Sequence, residues 1–268
     1  MEYKTFAALI YVTSTEHDAV MRMYEWQEVR IDGDNQLYYR ADITTPSGEK
    51  HTMIAARQSE MGMTASATLT MKLILQWRPM YVIMPGIAAG VGDSRNDDQM
   101  FGDVILASAV WNCSNGKYIS AKNADIRFGE IGFLPRPTVV QTDEGIIPYL
   151  RRAIESSDNE CYVHFGYLAS GSAVMANRNM ILSHTKAFSD STEGLEMEGY
   201  GVAYAAREAT EPRPIAIIAK SICDFGDERK DDTYQKFAAY TSCEFVALLC
   251  DKYLPNDISN IGIIQKGV

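Results

Sequence analysis

Four carboxylates stand where they could act on a bound molecule: Glu16, Glu196, Glu198 and Asp224. Asp224 follows the apolar, β-branched run Pro214 to Ile222 and opens the segment Asp224-Phe225-Gly226-Asp227. A carboxylate at the end of a buried strand loses hydration, so it either serves a ligand or caps its own turn. In the first case its proton is held more tightly, which suits a general acid. Glu196 and Glu198 lie two apart in Glu196-Met197-Glu198-Gly199. They share a face if the segment is extended, and they complement a helix dipole if it starts a helix. Glu16 ends Thr13-Ser14-Thr15-Glu16 and is open to the same first-turn reading. Cys223 has no adjacent base to activate it as a nucleophile, and reads as a small core residue.

Glycines supply a second feature. Gly86, Gly90 and Gly92 in Pro85-Gly86-Ile87-Ala88-Ala89-Gly90-Val91-Gly92 allow close backbone approach. Their spacing is not the GxGxxG of dinucleotide sites, and no Lys-Ser/Thr follows as in a P-loop. A plain strand-to-helix connection explains them equally well. Metal chemistry is disfavoured: His17, His51, His164 and His184 lack ligand spacing, and the five cysteines include no CxxC. No metal or organic cofactor is expected. An odd number of sparse cysteines reads as reduced thiols in a cytoplasmic protein. Cys243 and Cys250, seven apart on a predicted helix, would be ~10 Å apart along its axis, too far to bond.

These groups need strands to carry them and helices to cover the strands. Strands are predicted at Phe6 to Val12, Leu37 to Ile43, His51 to Ala56, Tyr81 to Met84, Val104 to Val110, Cys161 to Ala169 and Pro214 to Ile222. Helices are predicted over His17 to Val29, Met63 to Trp77 and Glu144 to Glu155, from Gly199, and from an Asp232 N-cap to Pro255. In the last helix Phe237, Phe245 and Leu249 mark the buried face. Ser120 to Pro137 reads as irregular. Strands alternating with helices argue for an α/β layer fold, whose sites gather at the carboxyl ends of strands. One domain over residues 1–255 is expected, followed by a loosely ordered tail at 256–268.

Composition excludes several partners. The 268 residues carry 25 Lys and Arg against 35 Asp and Glu, a net charge of -10. Nucleic acid and anionic membrane both call for a basic surface, so neither is expected as a partner. No apolar run approaches the ~18 residues of a membrane span. The start Met1-Glu2-Tyr3-Lys4 does not resemble a secretory leader.

In order and spacing, five pieces resemble the nucleoside phosphorylase and nucleosidase superfamily. They are Ile10-Tyr11-Val12-Thr13-Ser14-Thr15-Glu16, Pro85 to Gly90 with Gly102-Asp103-Val104, Ser170-Gly171-Ser172, Glu196 to Gly199, and Ser221 to Asp227. The nearest branch is the methylthioadenosine/S-adenosylhomocysteine nucleosidase-like one, and the resemblance spans about Phe6 to Leu254. It implies a three-layer αβα sandwich with a central mixed, partly closed β-sheet. It implies cleavage of the N-glycosidic bond of a purine nucleoside or nucleotide, with adenine as the base, and a homodimer. Asp224 would protonate the purine, and Glu16 would position and deprotonate water, with Asp18 a weaker candidate. Glu198 would bind the ribose hydroxyls and Met197 would pack on the ribose. Val174 and Met175 would lie along the base, and Ile87, Ala88 and Cys223 would complete the substrate lining.

Departures from the family pattern matter. Phosphate-using members carry an Arg before the glycine-rich segment and a Ser within it, where this chain has Met84 and Ile87. Apolar residues cannot hold a phosphate dianion, so hydrolysis is favoured over phosphorolysis. A phosphorylase with an unusual anion site and a silent nucleotide sensor are the rival readings. A nucleotide substrate would need local cations, for which Arg57, Arg127, Lys186 and Lys220 are candidates.

Overall fold

The segment Thr5-Phe6-Ala7-Ala8-Leu9-Ile10-Tyr11 is buried at every position because both of its faces are covered. It forms β1 (Thr5–Tyr11), which lies parallel to both of its neighbours, β4 (Lys50–Arg57) and β5 (Pro79–Gly90). Leu9 and Tyr11 enter one core and Ala8 and Ile10 the other, as the two-residue period of a strand requires. Helices α2 (Met63–Trp77) and α5 (Gly199–Glu208) cover the Ile10 side through Leu69, Leu73, Val202 and Ala206. On the Leu9 side, α3 (Ile146–Glu155) and α6 (Gln235–Leu248) contribute Leu150, Ile154, Phe245 and Val246. A short helix, α1 (Ser14–Val20), packs beside α6. Where α2 and α5 cross, a Cβ at Gly201 would lie 2.2 Å from the Met63 carbonyl oxygen. Only glycine lets the helices come that close. The fold is the expected mixed α/β arrangement.

This computed structural model describes residues 2–44, 48–92, 99–120, 131–142, 145–156, 161–173, 177–186, 188–226 and 232–258. Its main sheet adds β2 (Gln27–Val29), β3 (Tyr38–Thr44), β6 (Val104–Asn112), β9 (Val139–Gln141), β10 (Val163–Ser170), β11 (Thr192–Glu196) and β12 (Ile215–Asp224). The strand order is β11-β10-β6-β12-β5-β1-β4-β3-β2, with β9 on β6. β12, buried along its whole length, runs parallel to β5 and antiparallel to β6. β11 also pairs antiparallel with the far end of β5, Gly194 against Gly90. β5, β12, β6, β10 and β11 therefore close into a ring while the β1 side stays open. This is the partly closed sheet. A separate hairpin joins β7 (Gly116–Ser120) to β8 (Ile131–Pro135).

Several expectations need correction. The helix predicted over His17 to Val29 stops at Val20, and Gln27 to Val29 instead pair with Arg40 to Tyr38. The glycine-rich segment is not a loop. β5 runs through it to Gly90, because β12 and then β11 supply its hydrogen-bonding partners. Part of the stretch read as irregular is the β7–β8 hairpin, and residues 121–130 lie outside the described residues. The last helix starts at Gln235, not Asp232, although the Asp232 carboxylate does accept from Gln235 Nε2 at 2.6 Å. Phe237, expected in the core, is 52% exposed. A π-helical turn (Leu249–Tyr253) ends that helix. The start of the tail is packed: Ile258 lies against the core, just after Pro255, whose carbonyl accepts from Tyr81 OH. Helix α4 (Arg178–Lys186) and strands β9 and β11 were not anticipated.

Candidate active site

Strands β1, β5, β11 and β12 all end around one cavity. Its walls include Glu16, Glu196, Glu198 and Asp224, together with Ile87, Ala88, Met197 and Cys223. Val12, Thr13 and Gln235 also line it, and Met61, 60% exposed, stands at its solvent side.

Glu16 is placed by the turn after β1. Thr13 caps α1, with its Oγ1 accepting from Glu16 N at 3.1 Å. In return Glu16 Oε2 accepts from Thr13 N at 2.9 Å and Val12 N at 3.0 Å, a reciprocal capping box. Oε1 accepts from Ile87 N at 3.2 Å, tying the carboxylate to β5 as well. The first-turn reading of Glu16 is therefore physically real, and it leaves the carboxylate on the cavity wall, only 3% exposed. Gly86 makes room for it. Its φ is +149°, and a Cβ there would lie 2.3 Å from Glu16 Oε1 and 2.7 Å from Lys220 Nζ.

The paired glutamates differ in what holds them. Glu196 Oε2 accepts from Glu198 N at 2.9 Å and Gly199 N at 2.8 Å, the free amides at the start of α5. Its Oε1 takes a short hydrogen bond from Ser170 Oγ, which itself accepts from Tyr200 N at 2.8 Å. Lys220 Nζ lies 3.8 Å from Oε2, with both side chains almost fully buried. Glu196 thus fixes the turn and neutralises part of Lys220. Glu198 is bound more lightly: Oε1 accepts from Gly62 N at 2.8 Å, while Ser66 Oγ donates to the Glu198 carbonyl. Burial, then the charge of Glu196, push the Glu198 carboxyl up to about 7, against the pull of Lys220 and the Gly62 amide. Glu198 is the carboxylate left with capacity for a ligand.

Asp224 ends β12. Oδ1 accepts from Gly226 N at 2.7 Å, which is the turn-capping alternative, and Oδ2 receives the Cys223 thiol at 3.4 Å. The turn-cap and cavity readings coexist in one side chain.

Of the residues expected at the site, Glu16, Ile87, Ala88, Met197, Glu198, Cys223 and Asp224 are brought together. Val174, Met175 and Arg127 lie outside the described residues. Asp18 is exposed on α1, in a neighbouring groove. Arg57 is exposed and donates from Nε to the Val12 carbonyl at 2.7 Å. Lys220, considered as an anion contact, is instead buried among carboxylates. A lysine inside an otherwise apolar strand was itself the signal, because a cation is buried only with a partner. Ser170 stands in the Ser170-Gly171-Ser172 piece of the family pattern, but its bond to Glu196 and the place of Gln235 on the cavity wall had no comparable signal. Among the described residues, no group of three or more side chains is arranged to hold a metal ion. Among the same described residues, no helix is long and apolar enough to cross a membrane.

A mixed sheet that closes at one end and gathers carboxylates at its strand ends defines a class. The profile of the Phosphorylase superfamily matches residues 18–255, and the chain belongs to that family. Within it, the chain is 26% identical over 243 residues to the ATP nucleosidase Cap17 of Escherichia coli, covering 81% of this chain and 45% of that one. It is 28% identical over 247 residues to an uncharacterized protein of Sinorhizobium fredii, covering 86% and 56%. The chain spans about half the length of these curated relatives. It also matches the 5'-methylthioadenosine/S-adenosylhomocysteine nucleosidase of Neisseria meningitidis in complex with methylthio-immucillin-A. That match has a TM-score of 0.68 and 21% identity, covering 91% of this chain and 97% of that one. At that identity the likeness is one of fold.

Proposed function

We propose that this chain hydrolyses the N-glycosidic bond of a purine nucleoside or nucleotide, with adenine as the favoured base. One observation carries the reading: Glu16, Glu198 and Asp224 come from three separate strand ends and line the same cavity. The likeness to Cap17, an ATP nucleosidase, and to the Neisseria nucleosidase points the same way.

The chemistry follows from placement. As the bond between the ribose and the base breaks, its electron pair moves to the base, which leaves easily only if protonated. Asp224 supplies that proton. The ribose becomes cationic, and Glu198, accepting from the ribose hydroxyls, stabilises it. Water then adds to the anomeric carbon and gives its proton to Glu16. Ile87 lines the cavity where an anion-binding side chain would be needed for phosphorolysis, and water needs none. No metal or cofactor enters this scheme. Met197 and Cys223 shape the sugar and acid ends, Val174 and Met175 are assigned to the base, and Ala88 completes the lining.

Residues 1–255 are read as the catalytic unit. The five free cysteines fit a reducing, cytoplasmic setting. A homodimer is inferred, the second copy covering the exposed aromatics Phe101, Tyr234 and Phe237, which flank Gln235 of the cavity wall in sequence or by stacking; light scattering tests it.

The direct experiment is a chromatographic screen of the purified chain, without phosphate, against methylthioadenosine, S-adenosylhomocysteine, adenosine, AMP and ATP. Release of adenine is expected from at least one, falling by about 10²–10⁴ in Asp224→Asn. Turnover that requires phosphate would replace hydrolysis by phosphorolysis. Equal, slow release by wild type and variant would remove Asp224 from its role.

A further inference from the structure

We infer that Arg178 is a positioning residue whose guanidinium locks the peptide that aims Asp224. The inference rests on the nucleosidase reading and extends it to a residue outside the cavity wall.

The need for such a lock is visible in the sheet. β5 and β12 stay in register from Tyr81 against Ile215 to Ala88 against Ile222, then slip by one residue, so that Ala89 faces Asp224. Beyond the slip β5 leaves β12 and turns to β11. Carbonyls at the two strand ends therefore lose their regular ladder partners, and buried carbonyls must find others.

Arg178, the first residue of α4, supplies them. Nη1 donates to the Gly90 and Phe225 carbonyls, both at 3.1 Å. Nη2 donates to the Val91 carbonyl at 3.0 Å and to that of Gly92. One planar group thus bonds three consecutive carbonyls from the end of β5 and one from the residue after Asp224. A rigid fork of donors can do this and a single ammonium cannot. The amides of the same β5 segment are held from elsewhere: Gly92 N donates to Gln99 Oε1 at 2.7 Å, and Val91 N to the Glu193 carbonyl at 3.1 Å.

The link to the acid is a shared peptide plane. Phe225 C=O and Gly226 N–H belong to the same peptide. Its oxygen is bound by Arg178, and its N–H donates to Asp224 Oδ1 at 2.7 Å. Rotating that peptide would break both bonds, and each bond polarises the other. The ribose-side carboxylates have separate anchors, Glu16 on Val12, Thr13 and Ile87, and Glu198 on Gly62. Loss of Arg178 should thus loosen the acid and leave the sugar end in place.

The test uses the full chain with Arg178→Lys and Arg178→Met. Both are expected to lose about 10²-fold in kcat, the cost of an ångström-scale misplacement, with KM little changed. Exchange of the Gly226 amide, followed by NMR, should speed up in both while core amides stay protected. Millimolar methylguanidinium should restore part of kcat in Arg178→Met and none in Asp224→Asn. Wild-type kcat and Gly226 protection in both variants would overturn the assignment. So would a loss of kcat accompanied by loss of protection throughout the core, which would make Arg178 a stability residue. If the wild type releases no base from any nucleoside, the nucleosidase reading fails, and Gly226 exchange still decides whether the lock exists.

Discussion

Glu198 and Lys220 put opposite demands on the fold. A glutamate in an unfolded chain titrates near ~4.3, whereas burial and Glu196 hold Glu198 up to about 7. Between those values the folded state keeps a proton that the unfolded state has lost, so stability falls as pH rises through that window. Glu198→Gln removes the penalty. Its Tm should exceed that of the wild type on the alkaline side of about 7 and converge with it in acid, as read by thermal melts at two pH values. Turnover should move the other way. If ionised Glu198 binds the ribose hydroxyls, kcat/KM rises with pH to a plateau above about 7, and Glu198→Gln loses both the limb and most of the activity. A flat wild-type profile across that range would contradict the assignment. Lys220 has the inverse character. With Lys220→Met, Glu196 is left buried without its cation, which costs about 3–5 kcal/mol in a denaturant titration.

Two glycines separate positioning from packing at the level of elements. Gly86 lies where β5 passes the Glu16 and Lys220 side-chain ends, so Gly86→Ala displaces functional groups that can move at some cost. Gly201 faces the backbone carbonyl of Met63, which cannot. Gly86→Ala is expected to depress turnover and, because a φ of +149° strains an alanine, stability as well. Gly201→Ala should cost about 1–3 kcal/mol with turnover per folded molecule kept; parallel melts and assays compare them. The same distinction explains what could be read beforehand. α2 and the core of β12 were legible because their apolar runs are long, the first ended by Arg78-Pro79 and the second opened by Pro214. β5 was cut short because its second half is glycine and alanine, a composition that marks a loop unless neighbouring strands supply the hydrogen bonds. β9 and β11 are three and five residues long and exist through pairing with distant segments, which no local pattern encodes. Glu16 and Asp224 were findable as charges at the ends of apolar runs, and Glu196 and Glu198 as a pair just before a helix. The partition of work between Glu196 and Glu198 was not, since it depends on which of them faces the amides of α5.

On the scale of the whole molecule, the ring of five strands carries Asp224, the proposed acid, while the β1 side delivers Glu16 through α1. Amide exchange should be slowest in β12 and the first half of β5, buried under helices on both sides, and fastest in β2. Fast exchange in β12 at neutral pH would contradict this division. Closure of the ring has one more consequence. A sheet with exposed borders invites other chains to add strands to it, the first step of cross-β aggregation. Here the β11 border is consumed by β5. Among the described strands, β2 and β9 border the main sheet with three residues each, Gln27 and Glu28 being exposed on β2, and Ala41 to Thr44 of β3 extend past β2 as a four-residue border with Asp42 and Thr44 exposed. Borders that short give an incoming strand little to template on, so the closure that frames the cavity also protects the protein from polymerising with itself.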